Sequence, residues 1–279
     1  MWCKNCNIET NDPICPICGS KTVEDIPVEV YWCPECKVPV INTATQADKG
    51  LCPLCGQKTK YLSADLRPVF PEERLLLELL LGKKPYEYMQ KSVWAANSSY
   101  YIDGKRVALP AKFFEKADTD ELSKQLEEYK GENSYEYFNV YAERFCEANR
   151  NRLNYLVDEA SEFVRNAASK FDEERLVVSF SGGKDSTVTA DLAINALGTS
   201  SIVHIFGNTT LEFPTTGEYA ERYRHNHPHA IFMVAKNEEQ NFIDVCEDIG
   251  PPARMMRWCC SMFKTGPITR TLNSLFRNE

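Results

Sequence analysis

The sequence predicts an α/β protein whose C-terminal part is a parallel-sheet domain, preceded by two small cysteine-rich ribbons and an α+β connecting region. Three observations support this prediction. Four Cys-x-x-Cys pairs occupy the first sixty residues, buried strands alternate with helices after residue 176, and a Gly-Gly turn joins the first of these strands to its helix. Strands that alternate with helices are typical of parallel sheets.

The composition is that of an ordinary globular protein and excludes several classes. Of the 279 residues, 43% are apolar and 26% are charged, which is unlike a disordered or collagen-like chain. No run approaches the ~18 apolar residues of a membrane span, and the first residues lack the apolar region of a signal peptide. Twelve cysteines without a secretory signal indicate thiols in a reducing compartment, so we expect a cytoplasmic protein with no membrane partner.

Residues 1–60 are predicted to form two zinc ribbons. Each Cys-x-x-Cys turn points two sulfurs at one spot, and two turns supply the four thiolates of a closed tetrahedral Zn²⁺ site. Since cysteine fills every position, both metals are expected to be structural. A redox role is the alternative, but no βαβ pattern surrounds these pairs. The predicted ligands are Cys3, Cys6, Cys15 and Cys18 in the first ribbon, and Cys33, Cys36, Cys52 and Cys55 in the second.

Residues 61–133 are predicted to be an α+β connecting region, and residues 134–171 a long helix. Pro71 opens and Gly82 closes an apolar run with acids in its first turn, which is a helix signature. Asp103-Gly104, inside an alternating stretch, predicts a hairpin turn. Aromatic residues recur at helical spacing between 134 and 171, so we expect them to fill a core, with Cys146 as a packed thiol.

The residues that suggest chemistry follow residue 176. The run 176–180 predicts a buried parallel strand, and a helix is predicted from Thr187 to Leu197. Between them lies Ser-Gly-Gly-Lys-Asp-Ser, residues 181–186. A strand, a glycine turn and a helix form the setting in which backbone N–H groups and a helix N-terminus hold phosphate. The Gly-x-x-x-x-Gly-Lys spacing of a Walker A loop is absent.

The run Ser-Phe-Ser-Gly-Gly-Lys-Asp-Ser at 179–186 resembles the PP-loop of the adenine-nucleotide α-hydrolase superfamily. After a second predicted strand, 201–206, the run Asn-Thr-Thr-Leu-Glu-Phe-Pro-Thr-Thr at 208–216 is similar to the Asp-Thr-…-Phe-Pro-Glu-Thr segment of the phosphoadenosine phosphosulfate (PAPS) reductase family. Asn208 and Thr215 stand where that family usually has acids. A third strand is predicted at 230–235, followed by a helix near 238–249.

A third motif lies at 257–268 and reads Arg-Trp-Cys-Cys-Ser-Met-Phe-Lys-Thr-Gly-Pro-Ile. It resembles the family pattern Cys-Cys-x-x-Arg-Lys-x-x-Pro-Leu, in which the cysteine pair ligates an iron–sulfur cluster, although Phe263 stands where arginine is usual. The resemblance, which covers residues 172–279, thus implies a [4Fe-4S] site at Cys259 and Cys260. Because a cluster needs four thiolates, we expect no stable cluster in this chain unless two more thiolates are supplied.

The complete glycine loop favours ATP as the substrate. The resemblance implies a PP-loop enzyme that cleaves ATP to AMP and pyrophosphate and adenylates an acceptor for sulfur transfer, as in nucleic-acid thiolation. Mg²⁺ is expected on the phosphates. The predicted catalytic residues are Lys184, Asp185 and Ser186. The predicted nucleotide site is Phe180, Ser181, Gly182, Gly183, Lys184, Asp185, Ser186, Phe206, Asn208 and Thr209, and the predicted substrate or anion site is Glu212, Phe213, Pro214, Arg257 and Lys264.

Two other functions stay open at this point. One is a sulfonucleotide (APS or PAPS) reductase that uses a thiol or an iron–sulfur centre, and the other is a non-catalytic zinc-ribbon adaptor that only binds a nucleotide. The three predicted strands are fewer than the superfamily fold usually has, so the domain at 172–279 is expected to be incomplete at its C-terminus. Basic residues outnumber acids after residue 251, which suits sulfate, phosphate or a nucleic-acid backbone despite the net charge of −8. The expected partners are an adenine nucleotide and a nucleic acid or a sulfur carrier.

Overall fold

The computed structural model describes residues 1–3, 5–6, 8–10, 12–23, 28–43, 50–109, 118–199 and 202–276. The chain divides into two compact units, residues 1–154 and residues 155–279, and the division falls within one helix. Among the residues described, no helix is long and apolar enough to cross a membrane.

The first unit begins with two small antiparallel sheets that hold the cysteine pairs. Strands β1 (Trp2–Cys3) and β2 (Ile8–Glu9) pair with each other. Strands β3 (Val28–Cys33), β4 (Val38–Thr43) and β5 (Lys60–Ser63) form a second sheet in the order β4-β3-β5. In the second ribbon, Cys33 and Cys52 are buried together with Val38 and Val40, so two of its four cysteines belong to its core.

A four-stranded antiparallel sheet and a helix follow, as the sequence predicts for the connecting region. The sheet has the order β6-β7-β8-β9, with β6 at Arg67–Pro68, β7 at Val93–Ala96, β8 at Ser99–Ile102 and β9 at Lys105–Ala108. Asp103 and Gly104 have φ values of 47° and 75°, which are those of a tight hairpin turn. Helix α1 (Pro71–Leu80) starts at the predicted proline and stops before Gly82, whose φ is 65°.

The long helix predicted over 134–171 is two helices in the structure. Helix α2 (Thr119–Tyr129) precedes α3 (Glu136–Ala148) and α4 (Arg150–Ala168). Asn149 interrupts the helix because its side chain accepts a hydrogen bond from the Ile41 amide at 2.6 Å and donates one to the Pro39 carbonyl at 3.1 Å. These bonds pin the end of α3 to the second ribbon.

One expectation for this helical region is wrong, and another holds only in part. Cys146 is exposed, so it is not a packed thiol. The aromatic residues fill a core only in part, since Phe145 packs against Trp94 with ring centroids 4.9 Å apart, whereas Phe163 is 74% exposed. Helical periodicity identifies one face of a helix but does not establish that another element covers that face.

The second unit is a three-stranded parallel sheet with helices on both faces. Strands β10 (Val177–Phe180), β11 (Val203–Asn208) and β12 (Ile231–Lys236) lie in the order β10-β11-β12, and Phe180 is in register with Phe206. Helices α5 (Lys184–Leu197) and α6 (Pro214–Asn226) connect the strands, and α7 (Phe242–Ile249) follows β12. A π-helix (Cys260–Thr265) then leads into α8 (Gly266–Phe276).

The two faces of β11 are buried against different helices. Phe206 faces α5 and α6, in a cluster with Val178, Phe180, Ala190 and Tyr223. Val203 and Ile205 face the opposite way, towards Ile268 and Leu272 of α8. This burial on both sides explains why Val203, Ile205 and Phe206 are all apolar, as residues of central parallel strands usually are.

Candidate functional site

Each N-terminal ribbon brings four cysteine sulfurs to one point. In both groups the sulfurs lie within 4.8 Å of one another. The sulfurs of Cys3 and Cys18 are 3.5 Å apart, and those of Cys36 and Cys52 are 3.9 Å apart. Bonds of ~2.3 Å in a tetrahedral Zn²⁺ site require sulfur separations of about 3.8 Å. The donors and their spacing therefore fit zinc in both ribbons.

The second Cys-x-x-Cys turn of each ribbon reads Cys-Pro-x-Cys-Gly, at 15–19 and at 52–56, and it has the same geometry in both ribbons. Gly19 and Gly56 have φ values of 70° and 71°. The Gly19 amide donates to the Cys15 carbonyl at 2.9 Å, and the Gly56 amide donates to the Cys52 carbonyl at 2.8 Å. A left-handed residue is needed at this turn, and glycine adopts that conformation without steric cost.

The thiols in these groups have widely separated pKa values. Hydrogen bonding from Ser20 lowers the pKa of Cys18 to about 5. Sharing a hydrogen bond with the Cys18 sulfur raises the pKa of Cys6 to about 12, and burial raises the pKa of Cys36. Thiols so close together ionise fully only when a cation neutralises them, and a bound Zn²⁺ does this.

The glycine turn between β10 and α5 is shaped by two different requirements. Gly182 has a φ of 74°, and a Cβ there would lie 3.0 Å from Cγ2 of Thr216. Gly183 has an ordinary φ of −85° as the N-cap of α5, and a Cβ there would meet only the Ser181 hydroxyl, at 3.5 Å. Gly182 is thus required by the fold, whereas Gly183 leaves open the backbone surface that an anion would approach.

Hydrogen bonds inside the turn converge on one carbonyl. The hydroxyls of Ser186 and Thr187 each donate to the Gly183 carbonyl at 3.0 Å. The Ser181 amide donates to the Ser186 hydroxyl at 3.2 Å. No side chain in the described parts of the chain caps α5, so its first N–H groups face outward as a phosphate site requires.

The two charged residues of the turn point into solvent. The Lys184 ammonium and the Asp185 carboxylate lie 2.5 Å apart, and their side chains are 87% and 88% exposed. Such a pair contributes little to stability, because water and salt screen it. Both groups can therefore leave each other for a phosphate or a metal ion with little loss.

The loop after β11 is held by its own side chains. The Glu212 carboxylate accepts hydrogen bonds from the Thr209 amide at 3.0 Å and from the Thr209 hydroxyl at 2.7 Å. The Asn208 side chain accepts from the Thr210 amide at 2.9 Å, and the Thr210 hydroxyl accepts from the Phe242 amide at 2.8 Å. Glu212, predicted as a substrate residue, thus shapes this loop through Thr209.

The third motif forms a π-helix at the same edge of the sheet as the glycine turn. A Cβ at Gly266 would lie 2.0 Å from the Ser261 carbonyl oxygen, so only glycine fits the wide turn. Asn237, which directly follows β12, donates to the Met262 carbonyl at 3.3 Å. Ile268 approaches Gly207 near the end of β11. The structure therefore brings all three motifs to the carboxyl ends of the strands, where parallel sheets bind ligands.

The cysteine pair of this motif does not fit a [4Fe-4S] cluster by itself. Cys259 and Cys260 are half-buried free thiols at the start of the π-helix. No third cysteine, histidine or carboxylate among the described residues joins them in a metal-binding group. A cluster needs four thiolates, and two are present. Arg257 and Lys264, which flank the pair, are exposed.

The aromatic residues predicted to lie near the nucleotide occupy two different environments. Phe180 and Phe206 are 1% and 4% exposed, and their side chains pack in the core. A ligand at the strand ends could therefore contact only their main-chain atoms. Phe213 is 79% exposed, and Pro214 begins α6 directly after it.

Three residues near the turn were missed by the sequence reasoning. Thr216 packs on Gly182, and the hydroxyl of Tyr219 donates to the hydroxyl of Thr187 at 3.0 Å. The signal in the sequence was weak. Thr216 and Tyr219 lie one helical turn apart after Pro214, but no residue pattern shows that their helix contacts the glycine turn.

A family model, two curated relatives and a solved structure are similar to parts of this chain. Residues 175–278 match the model of the phosphoadenosine phosphosulfate reductase domain. Two uncharacterized proteins of Methanocaldococcus jannaschii are similar to the chain: MJ0066, 29% identical over 156 residues and 56% of this chain, and MJ0973, 25% identical over 137 residues and 48% of this chain. The chain spans about a third of the length of these two relatives (32% of each).

Among solved structures, the chain is similar to the crystal structure of a phosphoadenylyl-sulfate (PAPS) reductase from Candida auris in complex with phosphate. The similarity has a TM-score of 0.33 and 20% sequence identity, and it covers 45% of this chain and 61% of that one.

Proposed function

We propose that this chain, which carries a PAPS reductase-family domain at residues 175–278 and hence the core of a PP-loop-type nucleotide-utilising enzyme, binds ATP and cleaves it between the α- and β-phosphates. The observation behind this proposal is the complete Ser-Gly-Gly-Lys-Asp-Ser turn with an uncapped helix behind it. A pyrophosphate group needs several outward N–H donors and a mobile cation, and the turn offers both.

The proposed reaction is adenylyl transfer. An oxygen of the acceptor attacks the α-phosphorus, the bond to the β-phosphate breaks, and pyrophosphate leaves with the bond electrons. The acceptor then carries AMP, which is a good leaving group for an incoming sulfur. We assign to the exposed Lys184 ammonium the neutralisation of the charge that develops on the departing pyrophosphate. Mg²⁺, when bound, neutralises charge on the phosphates, and the exposed Asp185 carboxylate suits such a hard cation.

An anionic acceptor is consistent with the surface around the third motif. Residues 251–276 include no Asp or Glu, although the chain as a whole has a net charge of −8. The four basic residues of this segment, Arg254, Arg257, Lys264 and Arg270, are exposed. A nucleic-acid backbone or an acidic sulfur carrier would be attracted to this surface, with an affinity that decreases as salt increases.

Calorimetric titration with ATP, AMP and PAPS tests the nucleotide assignment, and release of pyrophosphate tests the cleavage. We expect ATP to bind at least tenfold more tightly than AMP, because the β- and γ-phosphates contact the turn. Tighter binding of PAPS than of ATP would contradict the proposal and favour a sulfonucleotide reductase.

A matched pair of lysine variants locates the binding site. Lys184→Ala removes the exposed ammonium of the turn and should weaken ATP binding by about tenfold. Lys170→Ala removes an exposed lysine that precedes β10 and should leave ATP binding unchanged. Equal effects of the two substitutions would show that ATP is attracted by overall charge only.

A further inference from the structure

We propose that Tyr219 is a positioning residue for the phosphate-binding turn, acting through a relay of hydroxyl groups. This inference rests on the proposed function, because it assigns a role to a residue of α6 in holding the turn that receives the pyrophosphate. Tyr219 does not contact the nucleotide and acts only through the turn.

The relay runs from α6 to the first turn of α5. The Tyr219 hydroxyl donates to the Thr187 hydroxyl at 3.0 Å, and the Thr187 hydroxyl donates to the Gly183 carbonyl at 3.0 Å. Gly183 is the N-cap of α5, so the direction of its carbonyl sets the plane of the next peptide group. Each hydroxyl polarises the next, and such chains are stronger than their separate bonds.

Packing holds the Tyr219 ring in the position that the relay needs. Its ring lies nearly parallel to that of Phe180, the last residue of β10, with an interplanar angle of 18° and centroids 6.4 Å apart. One turn earlier on α6, Thr216 contacts Gly182. The first turns of α6 thus form one wall of the phosphate-binding turn, and the Tyr219 hydroxyl is the polar contact through which that wall fixes the turn.

Tyr223, on the next turn of α6, shows that the hydroxyl has a separate role from the ring. Tyr223 also packs on Phe180, with ring centroids 4.5 Å apart, but its buried hydroxyl has no hydrogen-bond partner among the described residues. Removal of the Tyr223 hydroxyl therefore leaves the turn untouched, whereas removal of the Tyr219 hydroxyl frees Thr187.

The test compares Tyr219→Phe with Tyr223→Phe, two variants of one helix that each lose one oxygen. We expect Tyr219→Phe to weaken ATP binding by about three- to tenfold, as for one lost hydrogen bond, and to leave adenosine binding unchanged because adenosine has no phosphate. Thr187→Val should behave like Tyr219→Phe, and Thr187→Ser, which keeps the hydroxyl, should behave like the wild-type protein. We expect Tyr223→Phe to bind both ligands normally.

Hydrogen exchange of the ligand-free protein separates this inference from the proposed function. The amides of Ser181 and Thr187, which donate to the Ser186 hydroxyl and the Gly183 carbonyl, should exchange faster in Tyr219→Phe than in Tyr223→Phe, whether or not the protein binds ATP. If the wild-type protein fails to bind ATP, the proposed function fails and the exchange rates alone decide the positioning role. Equal exchange rates in the two variants, or an equal loss of ATP and adenosine binding in Tyr219→Phe, would overturn it.

Discussion

The two glycines of the turn between β10 and α5 should respond in opposite ways to substitution. Gly182→Ala places a side chain at a φ of 74°, which costs ~1–2 kcal/mol for a residue with a Cβ. The new methyl group also lies 3.0 Å from Cγ2 of Thr216. A total loss of about 2 kcal/mol corresponds to a decrease of about 8 °C in the melting temperature of a unit of this size.

Gly183→Ser is the matched variant, because the conformation at residue 183 is an extended N-cap that serine favours. We expect its melting temperature to equal or exceed that of the wild-type protein. Its ATP affinity should decrease by at least tenfold, since the serine hydroxyl occupies an N–H group in the first turn of α5 and its Cβ covers the backbone surface.

Thermal unfolding followed by circular dichroism and calorimetric ATP titration measure the two effects. Wild-type melting of Gly182→Ala would refute the argument from backbone conformation. Wild-type ATP affinity in Gly183→Ser would show that the N-terminus of α5 does not receive the phosphates.

Three further predictions concern other parts of the chain. Metal analysis of protein never exposed to chelator or acid should find about two zinc ions per chain, and an absence of zinc would contradict the two tetrathiolate sites. Gly266→Ala should disrupt the π-helix, because its Cβ would lie 2.0 Å from the Ser261 carbonyl oxygen, and near-ultraviolet circular dichroism of Trp258 should change. Burial lowers the pKa of His204, so its neutral form stabilises the fold above about pH 6.5, and this contribution is lost as the pH falls. The free energy of unfolding in urea should decrease less between pH 7.5 and pH 5.5 in His204→Leu than in the wild-type protein. Equal decreases would show that His204 does not cause this pH dependence.

The sequence predicted the elements whose signals are local. The four cysteine pairs, the Asp103-Gly104 hairpin and the strand–turn–helix around residue 181 each depend on residues close together in the chain, and the structure has all of them. The resemblance to PAPS reductases is confirmed over residues 175–278. It too depends on local signals, because its three motifs are short runs of residues that follow one another in the family's order.

Boundaries and exposure were harder to predict. Helix α5 begins at Lys184 and not at Thr187, because Gly183 rather than a polar side chain is its N-cap. The break at Asn149 depends on bonds to the second ribbon, more than a hundred residues earlier in the chain. The π-helix at Cys260–Thr265 has no periodicity of its own in the sequence, so no helix was predicted there.

The sequence by itself determined which side chains are present: eight cysteines in two groups of four, a Gly-Gly turn between a strand and a helix, and a cysteine pair flanked by basic residues. These depend on residue type and short spacing, which the chain specifies directly. Only the tertiary structure decided that the three motifs of the second unit meet at one edge of the sheet, and that Tyr219 and Thr216 support the turn. Parallel strands need long crossovers, so residues that are neighbours in space are separated by a whole helix in the chain, and only the folded sheet brings them together.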